Sequence, residues 1–329
     1  MAANVKQKID EVVEQFGNIG IVPVIKLDKV ENAEKLAKAL RDGGINCAEV
    51  TFRAKGADEV IARMVKAYPD MMVGAGTVLS CEQADAAFAA GAKFCVAPGL
   101  NPKVVKHCLE KGIPFAPGLS SASEIEQAME LGLDFVKFFP AEQAGGLAYI
   151  KSVCAPYSSM RFMPTGGVNA DNLNSYLAYN KIVCCGGSWI VPAKALAEEN
   201  WAEITRLCKE AVDRMLGFEL VHVGINCANP EEAESVADKF DAAFGFGKKV
   251  GNSSVFASTY IEMMKTPFRG DNGHIAIATN SVKRAVYQLK ARGFEADASS
   301  FKFDASGELT VAYLKDQFGG FAVHLVKRK

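Results

Sequence analysis

The sequence predicts an α/β protein in which a (β/α)8 TIM barrel is followed by an α+β domain of two βαβββ modules. Eight short apolar runs alternate with amphipathic helical patterns, and the runs begin about every 20–27 residues, as in successive strand–helix units. Near Gly217 this alternation stops and a different, repeated pattern of strands begins. The 329 residues are enough for two domains, which we place at residues 1–216 and 217–329.

The first domain contains eight predicted strands, each followed by a helix. Eight parallel strands in this order close into a barrel. An open doubly wound sheet is the alternative, but no G-x-G-x-x-G segment follows the first strand. Between the strands, Ser80 with Gln83 and Ser121 with Glu124 have the spacing of helix-capping pairs. The predicted strands are residues 19–25, 46–51, 71–77, 93–97, 113–118, 134–139, 161–165 and 182–185.

The second domain shows an internal repeat with a period of roughly 50 residues. Each half begins with a strand and a helix and continues with further strands, in a βαβββ-like order. The first half has strand 219–227, helix 230–243 and strands near 253–258 and 259–265; the second has strand 273–279, helix 281–292 and strands near 296–303, 308–314 and 320–326.

Composition and charge restrict the expected partners. With 37 Lys and Arg against 38 Asp and Glu, the net charge of −1 gives no strong attraction to nucleic acid or to an anionic membrane. No uncharged apolar run approaches the ~18 residues of a membrane span, and the first 17 residues form a charged amphipathic pattern instead of a signal peptide. The nine cysteines include no C-x-x-C pair. We therefore expect a cytoplasmic protein with reduced thiols.

A lysine lies within the sixth predicted strand. Strand alternation places Phe135, Lys137 and Phe139 on one face. An ammonium is costly in apolar surroundings unless it is paired, and burial favours the neutral amine, which is a nucleophile for carbonyl carbons. The alternative is a lysine whose ammonium reaches solvent from the end of the strand.

The second predicted strand supplies polar partners for this lysine. Glu49, Thr51 and Arg53 share one face of that strand. If this face points into the barrel, Glu49 and Arg53 reach the mouth that holds Lys137. A carboxylate there can transfer protons through a water molecule, and a guanidinium can bind a carboxylate with two hydrogen bonds. A structural ion pair within the barrel is the alternative interpretation.

The loops after the seventh and eighth strands are rich in glycine. They contain Thr165-Gly166-Gly167-Val168 and Gly186-Gly187-Ser188. These two loops form the common phosphate site of such barrels, because bare backbone N–H groups can approach an anion closely. Any tight strand–helix turn also uses glycine, so the two Gly-Gly pairs favour a phosphate site without establishing one.

Six short segments of the first domain follow its predicted strands. They are EVTFR at 49–53, GAGTV at 74–78, APG at 97–99, KFFPAEQ at 137–143, PTGGV at 164–168 and GGSW at 186–189. Together they resemble the family of 2-keto-3-deoxy-6-phosphogluconate (KDPG) aldolases, which includes 4-hydroxy-2-oxoglutarate (KHG) aldolases, over roughly residues 5–214. The resemblance implies a class I aldolase that cleaves a small-molecule substrate to pyruvate and an aldehyde, needs no metal or cofactor, and forms a homo-oligomer, usually a trimer.

The same resemblance implies a role for each matching residue. Lys137 would form a Schiff base with the substrate, and Glu49 would be the general acid and base. The expected reaction is reversible cleavage of KDPG to pyruvate and glyceraldehyde 3-phosphate, with cleavage of KHG to pyruvate and glyoxylate as a second expected activity. The implied substrate-binding residues are Arg53 and Thr77 for the pyruvate carboxylate, Pro98 and Phe139 for the pocket wall, Thr165 for stereochemical choice, and Gly166, Gly167, Gly187 and Ser188 for the phosphate.

The second domain contains three of the four histidines, each within a predicted strand. His222 and His274 open the two halves, and Glu262 and His324 lie near the ends of those halves. Packing of the halves about a pseudo-twofold axis would bring together three imidazoles and a carboxylate, which suit a divalent transition metal. The alternative is that these histidines are core or pocket residues of a domain used for assembly.

This domain resembles the glyoxalase and vicinal-oxygen-chelate superfamily, which has metal ligands on these four strands. The common fourth ligand of that superfamily is Glu, so His324 departs from its pattern. The resemblance therefore implies a metal site at His222, Glu262, His274 and His324 without specifying the metal or the substrate.

Two other functions compete with the KDPG aldolase. One is a non-catalytic protein that senses phosphorylated metabolites through the barrel loops and the second domain. The other is an aldolase specific for the galactonate epimer of the substrate.

Overall fold

A ring of parallel strands forms the centre of the first of two compact units, Met1–Met215 and Leu216–Lys329, into which the chain divides. The structure is a computed structural model that describes residues 3–328, except for the side chains of residues 3 and 4. The strands of the first unit are β1 (Ile21–Ile25), β2 (Cys47–Thr51), β3 (Met72–Gly76), β4 (Cys95–Val96), β5 (Phe115–Ala116), β6 (Gly118–Leu119), β7 (Phe135–Phe138), β8 (Arg161–Pro164) and β9 (Cys185–Gly187).

These strands close into the barrel that the sequence predicts. One sheet has the order β5-β4-β3-β2-β1-β9 and another the order β6-β7-β8, with parallel pairing throughout. Strands β5 and β6 are the two parts of predicted strand 113–118, which is interrupted at Pro117 because proline has no N–H for the ladder. The bridges Phe162 to Ile182 and Thr165 to Gly186 join the other two edges.

The eighth predicted strand is placed too early. Residues 182–185 were expected to form it, but Ile182 makes only an isolated bridge to Phe162, and the ladder with β1 begins at Cys185. The strand therefore extends through Gly187 and brings the Gly-Gly pair into the barrel wall.

Helices surround the barrel and begin where the capping residues predict. Ser80 caps α4 by accepting from the Gln83 N–H, and Ser121 with Glu124 forms a complete capping box at α6. The helices are α1 (Ala3–Ile19), α2 (Ala33–Asp42), α3 (Ala57–Ala67), α4 (Cys81–Ala89), α5 (Pro102–Lys111), α6 (Ala122–Glu130), α7 (Gly146–Val153), α8 (Leu173–Leu177), α9 (Ala193–Ala197) and α10 (Trp201–Leu216), with a 3₁₀ turn at Val30–Asn32.

The first helix closes the amino-terminal end of the barrel. Phe16 is buried, and its ring lies 4.8 Å from that of Phe94 and 5.9 Å from that of Phe135, measured between centroids. Phe94 directly precedes β4 and Phe135 begins β7, so this contact fills the entrance to the barrel at the starts of the strands. The carboxyl ends of the strands are left as the open end.

Within residues 216–328, the second unit contains one eight-stranded mixed sheet and two helices. Each half runs strand, helix and three strands. In the first half, the sequence predicts only two strands after the helix, and the structure adds β11 directly after it. The sheet has the order β11-β12-β13-β10-β14-β17-β16-β15. Its elements are β10 (Glu219–Asn226), α11 (Pro230–Phe244), β11 (Lys248–Val250), β12 (Ser254–Ala257), β13 (Ile261–Met264), β14 (Gly273–Thr279), α12 (Val282–Ala291), β15 (Ala296–Phe303), β16 (Leu309–Phe318) and β17 (Phe321–Lys327).

Pairing in this sheet relates the two halves by a pseudo-twofold axis. The first strand of each half pairs in parallel with its last strand, β10 with β13 and β14 with β17. The two first strands, β10 and β14, pair antiparallel at the centre. One face of the first half packs under α11 through a core that includes Ala233, Val255 and Met263, so the opposite face is available for polar side chains.

Within residues 3–328, none of the helices is both long enough and apolar enough to cross a bilayer.

Candidate functional site

A cavity of about 430 Å³ opens at the carboxyl ends of the barrel strands. Every residue predicted to act in catalysis or substrate binding in the first domain lines it. Val24 and Val168 line it as well; neither had been assigned a role, because an apolar side chain in a strand or loop carries no chemical signal. The lining residues are Val24, Glu49, Arg53, Thr77, Pro98, Lys137, Phe139, Thr165, Gly166, Gly167, Val168, Gly187 and Ser188.

A buried pair of opposite charges lies at the base of this cavity. The Nζ of Lys137, on β7, is 3.0 Å from Oε1 and 3.4 Å from Oε2 of Glu49, on β2. Only 5% of Lys137 and 1% of Glu49 is exposed. The lysine therefore does not extend to solvent, and the carboxylate provides the partner that a buried ammonium requires.

A glycine on the neighbouring strand gives Glu49 its space. A Cβ placed on Gly76, the last residue of β3, would lie 2.3 Å from Oε1 of Glu49. Any larger residue there would push the carboxylate away from Lys137. The GAGTV segment thus supplies two residues of the site. Gly76 leaves room for the Glu49–Lys137 pair, and Thr77 lines the cavity.

Two polar residues at the rim have features typical of a binding site. Arg53, just beyond β2, has an exposed side chain that faces the cavity. Thr77, just beyond β3, has a φ of 56°, a left-handed conformation that is unfavourable for a β-branched residue. Such strain is concentrated at functional sites because the surrounding structure must maintain it.

The two glycine loops after β8 and β9 form part of the cavity wall. Gly166 and Gly167 have φ values of 100° and 80°, which favour glycine over other residues. Their loop is joined to the segment after β7, because Ala141 N–H donates to Thr165 C=O (2.8 Å) and Glu142 N–H donates to Gly166 C=O (3.0 Å). The lysine strand and the glycine loop are therefore held in fixed relation.

A buried tyrosine supports this wall and was not identified from the sequence. Tyr176 of α8 donates a hydrogen bond to the carboxylate of Glu142. The side chain of Glu142 occupies the space beside Gly167, where a Cβ would lie 2.5 Å from the Cγ of Glu142. Burial and this hydrogen bond raise the pKa of Tyr176, so the phenol stays protonated as the donor. A tyrosine inside a short helix offers no sequence pattern that would reveal this role.

In the second unit, the four predicted ligands lie on four adjacent strands. His222 pairs with Ala276 and Gly224 pairs with His274 across β10 and β14, so the two histidines occupy equivalent positions. Gly224 also pairs with Glu262 of β13, and Ala276 pairs with His324 of β17, which makes these two residues equivalent as well.

The donor atoms of this cluster are close together. The Nε2 atoms of His222 and His274 are 3.0 Å apart, and Oε2 of Glu262 is 3.2 Å from the first and 3.0 Å from the second. One ligand nitrogen from each of His222, His274 and His324 lies within 4.8 Å of the others. Donors that share one ion at bond lengths of about 2.1 Å lie about 3 to 3.5 Å apart. The donor atoms of His222, His274 and Glu262 therefore fit a common ion.

Burial and protonation also suit a metal ligand set. His324 is 7% exposed, and neither ring nitrogen meets a hydrogen-bond partner among the described residues. Burial and the neighbouring His274 and His222 lower the pKa of His324 to about 3, which keeps it neutral. Burial would raise the pKa of Glu262, but hydrogen bonds with His222, His274 and Ser254 outweigh it and lower the pKa.

Comparison with known proteins identifies the first unit. The family model "Aldolase: KDPG and KHG aldolase" matches residues 12–207. A 2-dehydro-3-deoxy-phosphogluconate aldolase of Treponema pallidum is 48% identical over 199 residues, which are 60% of this chain and 95% of that protein. The KHG/KDPG aldolase of Escherichia coli K12 is 44% identical over 193 residues, 59% of this chain and 91% of that protein.

A solved structure agrees with these matches. The KDPG aldolase of Legionella pneumophila, with pyruvate captured as a covalent carbinolamine intermediate, is 37% identical, with a TM-score of 0.59 over 61% of this chain and 97% of that one. The family match ends before the second unit begins. The chain belongs to the KDPG and KHG aldolase family, and it is an aldolase, a carbon–carbon lyase.

Proposed function

We propose that the first unit is a class I aldolase that reversibly cleaves KDPG to pyruvate and glyceraldehyde 3-phosphate through a Schiff base on Lys137. The observation that carries this proposal is the 3.0 Å contact between Lys137 Nζ and Glu49 Oε1 at the base of the cavity. The covalent pyruvate adduct in the Legionella relative supports the same chemistry here. KHG, which would yield pyruvate and glyoxylate, is a second candidate substrate.

Schiff-base formation begins with proton transfer within the buried pair. Glu49 accepts a proton from the Lys137 ammonium, and the neutral amine attacks the C2 ketone of the substrate to give a carbinolamine. Proton transfer to the departing hydroxyl releases water and leaves a protonated imine. Arg53 and Thr77 are at the rim of the cavity, where they can hold the carboxylate next to the reacting ketone.

Cleavage uses the protonated imine as an electron sink. The C4 hydroxyl gives its proton towards Glu49, the C3–C4 bond breaks, and its electron pair forms an enamine on the lysine side. The aldehyde departs, a proton returns to C3, and hydrolysis of the imine releases pyruvate and restores the amine. Glu49 thus carries protons at two steps from a single position.

The glycine loops give the proposed preference for a phosphorylated substrate. Gly166, Gly167, Gly187 and Ser188 line the cavity wall. Backbone N–H groups and a hydroxyl bind phosphate without bringing side-chain bulk into the cavity. Binding of the distant phosphate orients C2 and C4 relative to Lys137 and Glu49. The gluconate and galactonate epimers both present this phosphate, so the loops do not distinguish them.

For the second unit, we propose a divalent transition metal held by His222, Glu262, His274 and His324. The observation that favours it is a cluster of nitrogen and carboxylate donors on these buried and half-buried side chains, in which neither ring nitrogen of His324 has a hydrogen-bond partner among the described residues. Such an ion would supply Lewis-acid stabilisation of a bound oxygen. Ser254 orients the ligand carboxylate by donating to Oε1 of Glu262 at 2.7 Å, which leaves Oε2 directed at the histidines.

Borohydride trapping tests the aldolase proposal against a metabolite-sensing role. Reduction in the presence of pyruvate should attach the three-carbon unit to Lys137, and intact-mass and peptide spectra should locate it, because an imine is reduced to a stable secondary amine. Lys137→Ala should show no adduct. Lys93→Ala, which removes another partly buried barrel lysine, should be labelled like the wild type. A wild-type protein that acquires no adduct would favour the sensor.

Replacement of Ser188 by Asp tests the phosphate assignment. A carboxylate beside the glycine loops should repel the substrate phosphate and raise KM for KDPG by about ten-fold or more. KM for unphosphorylated KHG should change far less, which makes KHG the internal control. Steady-state kinetics with both substrates gives the answer, and equal increases for the two would place the phosphate elsewhere.

Metal analysis of the full chain tests the second-unit cluster. After incubation with Mn²⁺, Co²⁺, Ni²⁺ or Zn²⁺ and desalting, the wild type should retain about one equivalent of at least one of these ions. The Glu262→Ala, His274→Ala double variant should retain almost none. His107→Ala removes the histidine that pairs with Asp85 in the first unit and should behave like the wild type. Equal metal contents in all three proteins would remove the proposal.

A further inference from the structure

Two asparagines bind one carbonyl oxygen of the glycine loop after β8. The oxygen is that of Gly167, and it accepts from Nδ2 of Asn169 at 3.2 Å and from Nδ2 of Asn172 at 3.1 Å. Both asparagines follow the loop closely in the chain, and Asn172 immediately precedes α8. Two side-chain amides therefore hold this carbonyl in place.

The two amides are oriented by contacts at both of their ends. Oδ1 of Asn172 accepts from Asn169 N–H at 2.8 Å, and Oδ1 of Asn169 accepts from Asp171 N–H at 2.8 Å. Each amide thus uses its oxygen on a backbone N–H, which leaves its NH₂ group as the donor to Gly167 C=O. Asparagine is a favoured helix-capping residue, but the Asn172 side chain makes no capping hydrogen bond to α8. Its amide serves the loop instead of the helix.

Two carbonyl groups of this loop are engaged, while the N–H groups that follow them are not. Gly166 C=O accepts from Glu142 N–H at 3.0 Å, and Gly167 C=O is bound by the two asparagines. Among the residues that the structure describes, the N–H groups of Gly167 and Val168 meet no hydrogen-bond acceptor. The C=O and N–H of a trans peptide point in opposite directions, so each engaged carbonyl directs the next N–H the other way. Because Gly167 and Val168 line the cavity, these donors are available to its ligand.

The charged residues of the cavity leave no cationic side chain for a phosphate. Among the described residues that line it, the charged ones are Glu49, Arg53 and Lys137. Lys137 pairs with Glu49, and Arg53 is proposed to hold the substrate carboxylate. A phosphate in this cavity therefore depends on N–H and hydroxyl donors, and the orientation of each peptide beside it affects binding directly.

We propose that Asn172, assisted by Asn169, is a positioning residue for the substrate phosphate. It holds the peptide between Gly167 and Val168 with its N–H towards the phosphate and its carbonyl away from it. Glycine at 167 restricts rotation about its ψ little, so the hydrogen bonds from the amides limit this rotation. A turned peptide would replace a donor by a carbonyl oxygen that repels the phosphate. Asn172 thus favours phosphorylated substrates without touching them, and this inference rests on the phosphorylated substrate proposed above.

The experiment compares KDPG with pyruvate, which carries no phosphate, in the full chain. Asn172→Asp keeps the oxygen that accepts from Asn169 N–H and replaces the NH₂ donor by a second oxygen, which repels the Gly167 carbonyl. KM for KDPG should rise by about five-fold or more, with a smaller change in kcat. The pyruvate concentration that gives half-maximal borohydride labelling of Lys137 should change by less than about two-fold. Asn172→Ala, which adds no charge, should act in the same direction on KM.

Asn174→Asp is the matched control. It makes the same chemical change within α8, where Nδ2 of Asn174 donates to Arg214 C=O at 2.8 Å instead of to the glycine loop. KM for KDPG in this variant should stay within about two-fold of the wild type. Labelling by pyruvate also reports whether each variant is folded around Lys137, so a loss of KDPG binding is not mistaken for unfolding.

The outcomes separate this inference from the proposed reaction. A wild-type protein that traps no pyruvate, or traps it but does not cleave KDPG, overturns the proposed reaction and this inference with it. A wild type that does both, with KM for KDPG unchanged in Asn172→Asp or with KDPG and pyruvate weakened equally, overturns this inference alone. An equal rise of KM in Asn174→Asp would assign the effect to the added charge and would also overturn it.

Discussion

The buried contact between Lys137 and Glu49 is the interaction on which the first unit's site depends. Neither charge is tolerated there alone, because each side chain is almost fully removed from water. Bringing them together requires β7 and β2 to face each other across a closed ring, and it requires Gly76 on β3 to leave room for the carboxylate. The barrel thus brings the proposed nucleophile and its proposed proton acceptor together in one position that is largely removed from water.

The rest of the cavity is organised around that pair. The backbone N–H groups of Ala141 and Glu142 bind the segment after β7 to the Gly166–Gly167 loop. Tyr176 holds the Glu142 side chain through a hydrogen bond to its carboxylate. In the proposed reaction, this arrangement holds the reacting carbons and a distant phosphate at a set separation. The second unit follows a different principle: its donors come from the first and last strands of two equivalent halves, so the repeat itself builds the cluster.

Residue chemistry and periodicity predicted much of this arrangement. Strand alternation placed Glu49 and Lys137 on facing sides of the barrel, and the repeat placed His222 with His274 and Glu262 with His324. Sequence periodicity did not predict the contacts between elements that are distant in the chain. The support from Tyr176 and the space at Gly76 depend on tertiary packing. The presence of β11 and the shift of the eighth strand to Cys185–Gly187 depend on the strands with which these segments pair.

The most direct test of the account is deuterium exchange at the pyruvate methyl group, followed by proton NMR in D₂O. Enamine formation requires both an imine on Lys137 and a proton acceptor at Glu49, so the wild type should exchange the methyl protons and Lys137→Ala should not. Glu49→Gln should slow exchange by about 100-fold or more, as expected for loss of general acid–base catalysis. Glu59→Gln, an exposed carboxylate of α3 paired with Arg63, serves as the control and should exchange at the wild-type rate. Exchange at the wild-type rate in Glu49→Gln would contradict the role assigned to the buried pair.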